Sequence, residues 1–255
     1  MPWIFKINIA PRSHGVRNEV PISTVSSRMD LNAKRIIVVG ASGVLGGLIV
    51  DALLERGAEV WATASTMASA ERINPRVKQR VLLDLANQIS VDAASAYFRQ
   101  NGEYDGIVIA SGIVGFGVAA ETSIDAAEGL ARVNYLGPAN FIAQLTQNLR
   151  GAAAGGSFVA VITGVVAAKV FPGMSAYTAS KWAMRGWLET FRLETKSKGI
   201  TVIEARPGHT ETGLAGRAIL GTAPAMPTGM APAHVANRIV AAIEAGETTV
   251  GDDQF

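Results

Sequence analysis

From Lys34 onward, short apolar runs alternate with longer stretches in which apolar residues recur at three- and four-residue intervals. The runs RIIVVG (35–40), AEVWAT (58–63), RVLLDL (80–85), DGIVIAS (105–111), SFVAVIT (157–163), ITVIEA (200–205) and TTVG (248–251) predict strands. Most are apolar throughout, a pattern that suits a strand covered on both faces. Helices are predicted over 44–56, 87–101, 122–150, 174–198 and 231–245. Strand followed by helix, repeated along the chain, means an α/β fold with a doubly wound parallel sheet of about seven strands and helices on both faces. No repeat or linker divides 34–255, so one domain is expected there. Ligands of such sheets lie outside the carboxyl ends of the strands, where strand order reverses. Site residues are therefore sought just after each strand.

Residues 1–33 read as a flexible N-terminal extension. Pro2, Pro11 and Pro21 interrupt any amphipathic helix, and no basic start leads into an apolar run of secretory-signal length. The formal net charge is +2, but residues 1–35 hold six basic and two acidic residues, leaving 17 basic and 19 acidic beyond. A nearly neutral body offers no clustered basic face, so nucleic acid is not expected as a partner. The chain has no cysteine, which excludes a disulfide scaffold, a cysteine nucleophile and a thiolate metal site. No metal site is expected. Two uncharged stretches, 106–120 and 151–168, are broken by glycines and small residues, and read as loop plus buried strand rather than membrane spans. A cytoplasmic protein without membrane contact is expected.

The first strand runs straight into Gly40-Ala41-Ser42-Gly43-Val44-Leu45-Gly46-Gly47 and then a helix. Strand, glycine turn and helix in that order suit a dinucleotide. Glycines permit the tight turn, backbone approach to a pyrophosphate and close helix–strand packing, while helix N–H groups hold the anion. Gly40, Ser42, Gly43, Leu45 and Gly46 are the candidate contacts. The second strand ends in Ala62-Thr63-Ala64-Ser65-Thr66, with no acid to bind a ribose 2′-hydroxyl and no arginine before Arg72. NADP or NAD is implied, with a slight preference for NADP, and Ser65 is placed at the ribose. Asp84 stands where it could accept from an adenine amino group, or equally serve as a turn carboxylate.

Tyr177 and Lys181 are four apart on a predicted helix and so share one face. A nearby ammonium favours the phenolate; lowering a phenol by ~3 units from ~10 takes about 4 kcal/mol of differential stabilisation. Such a tyrosine protonates a forming alkoxide or deprotonates an alcohol.

Taken together, Gly40-x-x-Gly43-x-x-Gly46, Asp84, Asn134 in RVNYLGP, YTASK at 177–181 and Pro207-Gly208 resemble the short-chain dehydrogenase/reductase family over about residues 34–250. The resemblance implies a Rossmann-like fold and hydride transfer between nicotinamide and a carbonyl or alcohol carbon of a small-molecule ketone or alcohol. It implies Tyr177 as acid/base, Lys181 tuning it and holding the nicotinamide ribose, and Asn134 bending its helix around a water in a proton relay. Ser111, Gly112, Pro207, Gly208, Thr210 and Thr212 would line the cofactor, with His209 beside them. A homodimer or homotetramer is also implied, with Trp182 and Trp187 in packing or subunit contacts.

Three departures stand out. Val44 occupies the place of the motif's middle glycine, and Ile109-Ala110-Ser111-Gly112 replaces Asn-Asn-Ala-Gly. Gly164 occupies the place of the catalytic serine, preceded by Thr163. Thr163 is expected to take that role after a one-residue shift, which along an extended strand would otherwise turn its side chain to the other face. The alternative is a catalytically impaired NAD(P)-binding sensor or scaffold. The loop at 210–230, rich in Gly, Ala, Pro and Met, is expected to act as a lid over a partly hydrophobic substrate.

Overall fold

The computed structural model describes residues 28–255. Seven strands, β1 (Arg35–Val39), β2 (Glu59–Ala64), β3 (Gln79–Leu82), β4 (Gly106–Ile109), β5 (Ser157–Ile162), β6 (Ile200–Ala205) and β7 (Thr249–Val250), form one sheet in the order β3-β2-β1-β4-β5-β6-β7. Every pairing is parallel. The order reverses between β1 and β4, which opens a crevice at their carboxyl ends.

The all-apolar strand pattern has a direct cause in β1. Ile36 and Val38 point into one core with helix α1 (Val44–Glu55), while Ile37 and Val39 point into the other. The first core also takes Val235, Ile239 and Val240 of the C-terminal helix; the second takes Phe98, Phe141, Met184 and Leu188. All four β1 side chains are at most 1% exposed. Each such burial contributes roughly 1.5–3 kcal/mol, so the sheet is held from both faces.

The remaining helices are α2 (Met67–Ala70), α3 (Gln88–Gln100), α4 (Ile124–Ala131), α5 (Gly137–Leu145), α6 (Ser175–Thr195) and α7 (Pro232–Ala245). Sequence periodicity did not predict α2, a four-residue turn closed by reciprocal hydrogen bonds between Thr66 and Ser69. The single helix predicted over 122–150 is two helices joined by a π-helical turn, Arg132–Leu136. At the sheet edge β3 is shorter than predicted and mostly exposed. The stretches 106–120 and 151–168 contribute the buried strands β4 and β5, and no helix among the described residues is long and apolar enough to cross a membrane.

Of the expected 1–33 extension, residues 1–27 lie outside the described residues. The rest belongs to the body: Met29 N donates to Glu244 O at 2.7 Å, and Leu31 is 1% exposed in the α1–α7 core. The domain therefore includes residues from Met29 rather than beginning at 34.

Candidate active site

The glycine turn after β1 packs as tightly as its composition demands. Gly40 has φ +81°, and a Cβ there would lie 2.8–2.9 Å from Ser111. A Cβ on Gly46 would lie 2.1 Å from Gly40 O. Gly43 offers α1 no side-chain cap, which leaves the backbone N–H groups of the first turn, Leu45 and Gly46 among them, without a capping acceptor. Val44, in the middle-glycine place, is turned outward and 45% exposed, so its side chain leaves the turn open.

Beside this turn lies a cleft of about 220 Å³ lined by Gly40, Ser42, Thr63, Ala64, Ser65, Leu83, Asp84, Leu85, Ile113 and Val133. Four of the expected contacts, Gly40, Ser42, Ser65 and Asp84, meet there. Thr63, Leu83, Ile113 and Val133 were not anticipated; Thr63 was legible in principle, because it shares a face with Ser65 at strand period two. Asp84 Oδ1 accepts from Ala86 N at 2.9 Å, so one carboxylate oxygen is a turn acceptor. Arg72 Nε donates to Ser42 O at 3.4 Å, which brings its guanidinium to the cleft rim. At the end of β4 the buried Ser111 hydroxyl has no hydrogen-bond partner. Together the glycine cradle, the unpartnered Ser111 hydroxyl and the cleft fit a dinucleotide.

At the other end of the crevice, α6 presents Tyr177 and Lys181, 8% and 6% exposed. Lys181 Nζ lies 6.0 Å from the Tyr177 ring centre and donates to Ile162 O at 3.2 Å. Gly112 sits close against both groups: a Cβ there would lie 3.1 Å from Lys181 Nζ and 3.2 Å from Asn134 Oδ1, so each would have to give by a few tenths of an ångström. Asn134 sits in the π-helical turn, donates to Ile113 O and Ser180 Oγ, and accepts from Ile113 N. The expected bend in this helix is thus a π turn that aims the carboxamide at the loop after β4. One expectation is reversed. Burial pushes the Tyr177 phenol up to about 12 rather than below 10, and lowers Lys181 to about 8. Desolvation penalises both charged forms and is the cause in each case.

Thr163 is the second correction. It is fully buried, and its hydroxyl donates to Glu204 Oε1 at 2.8 Å across the β5–β6 pair. The carboxylate takes the hydroxyl away from the site, and Glu204 is held in turn by Arg206 at 3.0 Å. No one-residue shift has occurred. Gly164 follows at φ +81°, ψ 165°, a region essentially reserved for glycine. The turn beyond it, Val165–Ala167, is clamped by α6: Trp182 Nε1 donates to Val166 O at 2.7 Å and Arg185 Nη1 to Ala167 O at 2.9 Å. Trp187 stacks on Phe191 with ring centres 4.7 Å apart, a packing role.

Tyr177 packs in an apolar cluster with Val114, Phe116, Leu130 and Val166, joined by Leu214, Ala215, Ala218 and Ala223 of the 210–230 loop. That loop is clasped at its base, where Met230 N donates to His209 O and Glu211 N to Met230 O. Its tip docks through Phe116 N to Leu220 O at 2.7 Å and Ile219 N to Val114 O at 2.9 Å. Near the base, Val165 N donates to Pro207 O, and Gly208 lies against Met230. Thr210 Oγ1 donates to Gly208 O and Thr212 Oγ1 accepts from Leu214 N, so both serve the loop backbone. His209 lies 3.3 Å from Glu211 and belongs to the clasp.

A family model described as short chain dehydrogenase matches residues 34–220. The chain belongs to the short-chain dehydrogenase/reductase family. It is 30% identical over 193 residues to a glycine betaine reductase of Emericella nidulans, covering 73% of this chain but only 15% of that protein. A short-chain dehydrogenase of Burkholderia cenocepacia, solved with NADP, superposes with TM-score 0.75 at 25% identity, covering 88% of this chain and 89% of the other. A short-chain dehydrogenase/reductase of Burkholderia phymatum, solved with NAD, gives TM-score 0.75 at 17% identity over 88% and 90% of the two chains. As a member of this family the protein is an NAD(P)-dependent oxidoreductase with a Rossmann-like fold.

Proposed function

We propose that the protein is a carbonyl reductase in which Tyr177 is the proton donor, supported by Lys181 and Asn134. The observation that carries this reading is that Lys181 and Asn134 meet at Gly112 while the Tyr177 ring centre lies 6.0 Å from Lys181 Nζ. When bound, reduced nicotinamide supplies a hydride to the substrate carbonyl carbon. A phenol held up to about 12 is fully protonated near neutral pH and ready to give its proton to the forming alkoxide. Lys181, next on the same face, stabilises the phenolate left behind while it remains charged. Asn134 fixes the loop that carries Gly112 and so holds the Lys181 side of the site.

The pH dependence follows from the two groups. Lys181 loses its charge as pH rises through about 8, so kcat/KM for ketone reduction is expected to fall above that point with a one-proton slope. Alcohol oxidation needs Tyr177 deprotonated and is expected to keep rising well beyond it. Parallel profiles in the two directions check this, and a reductive profile flat through the alkaline range would count against Lys181.

NADP is proposed over NAD, because Arg72 reaches the rim of a cleft whose β2 end, Ser65, carries no acid. Arg72→Ala is expected to raise the Kd for NADPH about tenfold and leave that for NADH unchanged, read by fluorescence titration. Equal effects on both cofactors would remove Arg72 from the 2′-phosphate. Ser111, Gly112, Pro207 and Gly208 are proposed to line the nicotinamide half of the cofactor, whereas Thr210 and Thr212 would reach it only after the loop releases their hydroxyls.

A homo-oligomer is proposed as well. Trp182 and Leu193 on α6, Ile124 on α4 and Leu136 in the π-helical turn are large apolar side chains open to solvent. Light scattering after size exclusion is expected to give at least twice the chain mass, and a single monomer peak would overturn it. The second reading, a cofactor-binding sensor or scaffold, is favoured by Gly164 and the diverted Thr163 hydroxyl. Saturable cofactor binding without turnover of any carbonyl would select it.

A further inference from the structure

Lys181 is buried with few partners. Among the described residues it makes no ion pair, and its ammonium donates to Ile162 O at 3.2 Å. The groups that face it, Tyr177 from its own helix and Asn134 from the π-helical turn, carry no charge near neutral pH. The Ile162 carbonyl is thus the acceptor that favours the charged form. That carbonyl shares a planar peptide unit with Thr163 N, which donates to Ala205 O on β6 at 2.9 Å. A trans peptide points its N–H and C=O in opposite directions, so pinning the N–H on β6 aims the carbonyl toward the β4 side, where β4 has ended at Ile109. Thr163 is also tied through its side chain. Its hydroxyl donates at 2.8 Å to Oε1 of Glu204, a fully buried carboxylate on β6. The other carboxylate oxygen lies 3.0 Å from Arg206 Nε but makes no hydrogen bond, which leaves Thr163 as the donor to Glu204. A buried charge is costly unless paired, and proton transfer from Tyr177 makes no use of this one.

Resting on the reductase reading above, we propose that Glu204 and Thr163 are positioning residues for Lys181, a latch across β5 and β6 that holds the Ile162 carbonyl on the ammonium. The latch acts through one peptide unit. Backbone pairing alone leaves that unit free to rock about the Thr163 N–H bond, because the β4–β5 register ends at Ile109 and Val161 and the chain turns away at Gly164 with φ +81°. The side-chain bond to Glu204 removes that freedom. Arg206 balances the Glu204 charge, so the carboxylate works on Lys181 through Thr163 and not as a counter-ion. An acceptor held on an ammonium favours its charged form, so Lys181 keeps its proton to higher pH with the latch than without it. Loss of the latch therefore moves the Lys181 titration to lower pH, and with it the alkaline fall in kcat/KM.

The test reads Lys181 in the full chain by NMR titration of its ε-carbon, with the signal assigned by its loss in Lys181→Arg, and in parallel by the pH profile of NADPH-dependent ketone reduction. Thr163→Val is expected to lower both by at least about half a pH unit, roughly threefold in kcat/KM at a fixed pH on the alkaline limb, while Thr163→Ser stays within about 0.2 of the unsubstituted protein. Thr163→Val combined with Glu204→Gln removes the stranded charge, so it folds if the single variant does not, and it is expected to show the same shift. A role confined to the fold would lower Tm and leave both titrations in place; that result would overturn the latch and leave the reductase reading intact. A shift in Thr163→Ser as large as in Thr163→Val would also overturn it. A Lys181 titration that moves as expected in a protein that binds NADPH and reduces no carbonyl would uphold the latch and overturn the reductase reading.

Discussion

Replacing Tyr177 with phenylalanine is expected to lower turnover by about 10²–10⁴-fold while leaving cofactor affinity within about twofold. The substitution removes one oxygen and keeps the ring, so the packing against Val114, Phe116, Leu130 and Val166 survives. Among the described residues no hydrogen bond depends on the phenol; Ser180 bonds to the Tyr177 backbone carbonyl, which remains. Removing that hydroxyl costs the fold little, so Tm should hold. Loss of activity with unchanged Tm and unchanged NADPH titration isolates the proton donor. Turnover surviving within threefold would remove Tyr177 from the chemistry.

Gly46→Ala is the other large effect. The new Cβ would stand 2.1 Å from Gly40 O and 2.8 Å from Gly40 C, both backbone atoms of the turn proposed to cradle the dinucleotide. Neither can rotate away, so α1 must lift from β1. Overpacking of this kind costs about 1–3 kcal/mol, and cofactor affinity should fall by about 100-fold as the N–H groups of the first turn leave register. Gly47→Ala provides the control, because its Cβ would meet Ala41 O at an ordinary 3.5 Å. It sits inside α1 and should gain up to about 1 kcal/mol from helix propensity. A Gly46→Ala protein that binds NADPH normally would show that the turn does not hold the cofactor.

Features of this molecule set by adjacent residues were legible in its sequence. The two-sided apolarity of β1, the glycine turn behind it and the four-residue spacing of Tyr177 and Lys181 each depend on local geometry, and each stands where periodicity put it. Features set by distant partners were not. The Thr163 hydroxyl is oriented by Glu204, 41 positions away, and nothing in the local pattern reports it. The π turn at Asn134 widens its helix by one residue, too little to disturb an apolar period read over two turns. The upward shift of Tyr177 depends on burial by the 210–230 loop and α4, which the i,i+4 spacing cannot convey.

The clasp that joins residues 209–211 to 229–230 brings the two ends of an excursion together independently of what lies between them. A graft of foreign sequence into 212–228 would therefore meet a pre-closed frame, and closure entropy rises by only about 0.6 kcal/mol for each doubling of loop length. A graft there would keep its frame, but it would have to replace the cover that Leu214, Ala215, Ala218 and Ala223 give to Tyr177.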